Sequence, residues 1–133
     1  MVYSLKKIQL LTRALLGDKK TYSLLLKKAP EYAALGSALV GSAVAMNWLM
    51  EHNKTLAVFA DAVDCNKTAI QILLKEKQFE LAAVANMLND DDKAELWLER
   101  HNLKVYIDFA VAIQYALDME EKHNLGGYFT LYG

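Results

Sequence analysis

Cysteine is almost missing from this chain: Cys65 is the only one in 133 residues. No internal disulfide can form, a zinc site built from cysteines is excluded, and a lone thiol fits a reducing compartment. Proline is equally scarce, with Pro30 alone, and there are only six glycines, so long disordered stretches are not expected. The opening segment "MVYSLKKIQLLTRALLGDKK" lacks the apolar core and small-residue cleavage site of a secretory signal, and a cytoplasmic protein is expected. A Gly-rich phosphate loop, a nucleophile elbow and a zinc-protease helix motif are missing too. These absences predict no enzymatic activity, no cofactor and no metal.

What the chain does have is apolar residues, 54% of the total, and one long uncharged run, "YAALGSALVGSAVAMNWLM", from Tyr32 to Met50. Its length suggests a membrane span. Yet Gly36, Ser37, Gly41, Ser42 and Asn47 make it weakly apolar for a segment facing lipid. Two readings stay open: one continuous buried helix from Glu31 to His52, or two shorter helices turning at Gly41-Ser42. Neither crosses a membrane.

The repeat spacing favours the second. Leu25, Leu49, Leu73 and Leu98 follow one another at 24, 24 and 25 residues, with Leu24, Trp48, Ile72 and Trp97 in the column beside them. Upstream in each unit, Ile8, Tyr32, Leu56, Leu81 and Tyr106 align. So do Leu11, Leu35, Phe59, Val84 and Phe109, then Leu15, Leu39, Val63, Leu88 and Ile113. These columns fall at relative positions 1, 4 and 8, which is one face of a helix. Small residues form a further column at Thr12, Gly36, Ala60, Ala85 and Ala110, which lets neighbouring helices approach closely. Between the apolar clusters, at one phase, stand Gly17-Asp18, Gly41-Ser42, Cys65-Asn66 and Asp90-Asp91. The first residue suits a turn, and the second can accept from the free amides of the next helix.

Each unit is therefore predicted to be a helix, a tight turn and a second helix, and the fold class all-α: a short solenoid of stacked helix-turn-helix repeats. The units fall at about 7–30, 31–54, 55–79 and 80–103. A long capping helix over 103–123, ended by Asn124, is expected to cover the open end of the stack. In the second helices Asn53 and Asn102 can take the left-handed conformation that stops a helix. The tail 125–133, "LGGYFTLYG", carries Tyr128, Phe129, Leu131 and Tyr132, which are expected to fold back on the core.

The first unit, "ALLGDKKTYSLLLKKAPE" (14–31), resembles the helical part of an ankyrin repeat. It shares the small Ala14, the turn Gly17 and the apolar pair Leu24-Leu25 before a polar stop. The third unit, "AVDCNKTAIQILLKEK" (62–77), keeps Ile72, Leu73 and Leu74 but has Cys65 in place of the glycine. The units are 24 or 25 residues rather than the roughly 33 of ankyrin, and the threonine–proline–leucine–histidine signature is missing. The resemblance implies a protein-binding scaffold without enzymatic activity, lacking the ankyrin hairpin fingers.

Charge is unevenly spread. Lys6, Lys7, Arg13, Lys19, Lys20, Lys27 and Lys28 stand against Asp18 alone in residues 1–28, while the remainder carries eight basic and fifteen acidic residues. Such a basic segment can meet nucleic acid or an acidic membrane surface, although two solvated surfaces explain it as simply. Other groupings have plain structural explanations. His52, His101 and His123 each precede an asparagine at a helix end, where imidazole suits the negative terminus. "NDDDK" (89–93) lacks the ligand order of a calcium loop and reads as a capped helix start. Glu95 and Glu99 lie one turn apart beside Lys93 and Arg100, as on a solvated face. Trp48 and Trp97 are expected in the core, and Cys65, with no base beside it in sequence, as a buried or turn thiol. One polar column remains: Arg13, Ser37, Asp61 and Asn86 share a phase of the first helices, a candidate recognition strip for a protein partner.

Overall fold

The computed structural model describes residues 4–123, and the expectations for Asn124 and for the tail 125–133 lie outside them. Among the described residues there are nine helices and no strand: α1 (Leu5–Leu15), α2 (Lys19–Lys28), α3 (Pro30–Leu39), α4 (Ala43–His52), α5 (Lys54–Val63), α6 (Lys67–Lys75), α7 (Phe79–Leu88), α8 (Asp92–Arg100) and α9 (Lys104–His123). The Tyr32–Met50 run is two helices, α3 and α4, broken at Gly41, whose φ of +105° a side chain would strain. No helix among the described residues is long and apolar enough to cross a membrane.

The turn inside each unit is the same device four times over. Gly17, Gly41, Cys65 and Asp90 all have positive φ. The next residue (Asp18, Ser42, Asn66 or Asp91) donates its amide to a carbonyl five residues back, closing the first helix. Its side chain then caps the second helix, accepting from the amide of Thr21, Ala45, Ala69 or Lys93 respectively. Stop and start signals occupy adjacent residues, so the two helices must fold back on each other.

The links between units come in two kinds, which explains why the period is 24 in places and 25 in others. After α2 and α4 a single extended residue, Ala29 (φ −147°) or Asn53 (φ −153°), leads directly into the next helix. After α6 and α8 an added residue allows a left-handed stop at Lys77 (φ +61°) or Asn102 (φ +57°). There Gln78 and Leu103 donate back to Leu73 and Leu98 at 2.8 and 2.9 Å. Asn102 thus stops a helix in the left-handed region, as expected. Asn53 does not: its side chain caps α5 by accepting from Leu56 N at 3.2 Å.

The Asp18 cap also sets a pH dependence. Hydrogen bonds from the Thr21 side chain and amide, with the Arg13 guanidinium nearby, hold the Asp18 carboxyl below its usual value of 3.8. A carboxyl lowered in the fold stabilises it above the unfolded pKa and loses that contribution as pH falls through the folded one. Asp18→Asn should therefore melt at a lower temperature than wild type at neutral pH, and the gap should close on acidification below pH 3.8. Parallel melts across that range check it.

The first helices α1, α3, α5, α7 and α9 form the interior, and α2, α4, α6 and α8 lie outside them. Each inner helix packs against the next, and α9 packs against α1 as well as α7. The five inner helices therefore close into a ring. The stacked helix-turn-helix repeats and the long terminal helix that the sequence predicts are both present, and that helix, α9, packs between α7 and α1 as the fifth inner helix. The apolar columns become layers of this ring. Leu11, Leu35, Phe59, Val84 and Phe109 are all fully buried, with the Phe59 and Phe109 rings stacked at 5.9 Å between centroids. Leu25, Leu49, Leu73 and Leu98 are buried beneath the outer helices at equivalent places.

Candidate functional site

Successive outer helices do not close over the inner ring, and grooves run between them. The groove from α6 to α8 across α7 has a volume of about 270 Å³ and includes Leu74, Phe79, Asn86 and Trp97 in its lining. Its floor is Ala82 and Ala83, small because the inner helices must approach closely. Leu74 and Phe79 are each 45% exposed, so apolar surface remains open to solvent there. In the register of Trp97, Ile72 is 38% and Leu24 39% exposed on other units. The column expected to be core is therefore a rim. Trp48 and Trp97 within it are half-buried, packed on the core along one edge. An exposed apolar column at helical spacing looks like a buried one in sequence, and only the splay of the outer helices separates them.

The polar strip is not continuous. Arg13, Ser37, Asp61 and Asn86 share one backbone role: their carbonyls accept the amides of Asp18, Ser42, Asn66 and Asp91 at 3.0 to 3.3 Å. Their side chains part company. Arg13 is exposed and pairs loosely with Asp18 at 3.8 Å. Ser37 is fully buried, its hydroxyl 3.4 Å from that of Tyr22, and offers nothing to a partner. Asp61 and Asn86 are half-buried, and Asn86 alone lines the groove beside Phe79 and Trp97. Equal phase gives equal position in the unit; it does not give equal exposure, because α2 covers Ser37 through Tyr22 and, among the described residues, no outer helix precedes Arg13.

His52 and His101 serve their own helix ends. His52 and His101 donate from Nδ1 to the carbonyls of Trp48 and Trp97 at 2.8 Å, and each ring lies 4.2 or 4.3 Å from the indole one turn back. Cys65 sits exposed at its turn, its thiol donating to Asn89 Oδ1 at 2.9 Å, while Asn89 Nδ2 donates to Ala62 O at 3.2 Å. Asn89 thereby ties the turn of the third unit to that of the fourth, a contact with no local signal in the sequence. Asp91 in "NDDDK" caps α8, and Glu95 and Glu99 are both exposed on it. No group of three metal-ligating side chains converges among the described residues. No family model, curated protein or solved structure matches the chain.

Proposed function

We propose that the protein is a non-enzymatic interaction module, an adaptor or inhibitor of the cytoplasm that binds a protein partner in the grooves between its outer helices. The α6–α8 groove carries this reading: a largely apolar open trough with a half-buried tryptophan and two exposed large side chains, where Asn86, Asp91 and Lys93 supply polar groups to fix orientation. The resemblance of the helical pairs to ankyrin units supports it. Leu74→Asp and Phe79→Asp should each weaken capture of a protein partner from native extract at least roughly tenfold, with Leu5→Asp on α1 as the control. Capture unchanged by both groove substitutions rejects the reading.

A second reading rests on α2, where Lys19, Lys20, Lys27 and Lys28 are all exposed. It makes the first unit an anion-binding surface for nucleic acid or acidic lipid. Binding would then weaken steeply with added salt, and lack of binding to either at low salt would dismiss it.

A further inference from the structure

Every outer helix bridges two inner ones: α2 lies on α1 and α3, α4 on α3 and α5, α6 on α5 and α7, α8 on α7 and α9. Among the described residues no helix of this kind lies at the fifth such position, over α9 and α1, where α9 continues without a turn to His123. A cleft of about 370 Å³ lies there, lined by Gln9, Thr12, Arg13, Val105 and Asp108. Its floor is built to stay wet. The residues equivalent to Gln9 in the next three units are Ala33, Ala57 and Ala82, all buried, whereas Gln9 is exposed. A further packed helix would desolvate Gln9, Arg13 and Asp108, which argues against one docking on that floor.

The walls of the cleft are α2 and α8, and they are opposite in charge. On α8, Glu99 lies beside Lys104 and Ile107 of α9, on the side toward the cleft, and Glu95 and Leu96 precede it by one turn on the same stripe. On α2, Lys20 and Leu24 occupy the register in which Lys93 and Trp97 of α8 face the preceding groove, so they face the cleft, and Lys27 continues their stripe. Lys20, Lys27, Glu95 and Glu99 are all exposed, and each wall has a leucine at its middle, Leu24 39% and Leu96 49% exposed. The unit 4–29 holds seven basic residues against Asp18, a net +6; the unit 78–103 holds six acidic residues against Lys93 and Arg100, a net −4.

We infer that this side of the ring is the interface of a two-fold homodimer in which α2 of each copy packs against α8 of the other. A two-fold contact requires a surface that is its own complement after rotation, and a basic wall beside an acidic wall meets that condition. Rotation sets Lys20, Leu24 and Lys27 against Glu95, Leu96 and Glu99 twice over, leaving the polar floors to enclose water. The occupant is thus a second copy of this chain. The inference stands apart from the α6–α8 groove, which lies on another side of α8.

The test is the molar mass in solution of the full chain at low ionic strength, by light scattering and sedimentation over a range of protein concentrations. Twice the 15.0 kDa chain mass is expected, with association weakening as salt screens the walls. Lys20→Glu with Lys27→Glu, and separately Glu95→Lys with Glu99→Lys, should each weaken dimerisation roughly a hundredfold. All four positions are exposed, and unchanged helical circular dichroism confirms that the variants fold. Mixing the two variants should restore a two-chain species containing one copy of each, since both wall pairs are then opposite in charge again. A single-chain mass at every concentration, masses growing past two chains, or a dimer indifferent to either reversal would each overturn the inference.

Discussion

Phe59→Ala is expected to lower the unfolding free energy by about 3–5 kcal/mol, the usual cost of removing a buried aromatic ring and leaving a cavity. Phe59 is fully buried in the layer shared with Leu11, Leu35, Val84 and Phe109, and its ring stacks on Phe109. The layer takes one side chain from each inner helix, so neighbours cannot collapse into the gap without shifting several helices together. Phe109→Ala should cost as much. The double variant should cost less than the sum by about 0.5–1.5 kcal/mol, the coupling of a stacked aromatic pair. Chemical denaturation of the four proteins gives all these values. The ring adds a second signature. In an open array, units far from a lesion keep their protection against hydrogen exchange, since each contacts only its neighbours. Here α9 packs on α1, so Phe109→Ala should loosen the amides of α1 as well as those of α7. Unchanged exchange in α1 would mean that first and last helices do not act as one layer.

Ser37→Arg is the other large effect, about 3–5 kcal/mol, because it leaves a charge without a partner among apolar neighbours. Ser37 is completely buried, with the Tyr22 hydroxyl as its close polar neighbour. The reverse exchange at the same place in the first unit, Arg13→Ser, should stay within about 0.5 kcal/mol. Its ion pair with Asp18 is long and joins two solvent-accessible side chains, and such pairs contribute little. Thermal melts of the two variants side by side measure the asymmetry. Equal effects would show that the fifth outer position is covered in the same way as the others.

The contrast between these two residues marks how far the sequence could be read. Turn positions were legible because they depend on chemistry a few residues apart. A residue with positive φ followed by Asp, Ser or Asn closes one helix and opens the next whatever surrounds it. The buried columns were legible because helical spacing gathers Leu11, Leu35, Phe59, Val84 and Phe109 on one face. Partial exposure of Trp97 and burial of Ser37 were not, since both depend on how neighbouring units splay. The apolar rim of the α6–α8 groove, the best candidate site, escaped for that reason.

Local interactions alone thus determined the nine-helix order, the two-residue turns and the identity of the core face, all within reach of one unit. The tertiary structure decided the rest: that five inner helices meet end to start, that Asn89 bridges two turns, and that among the described residues one outer position has no helix. Curvature is the physical cause. Each unit adds a rotation fixed by side-chain volumes across an interface, and whether five rotations complete a circle is a sum over the whole ring that no single stretch of residues records.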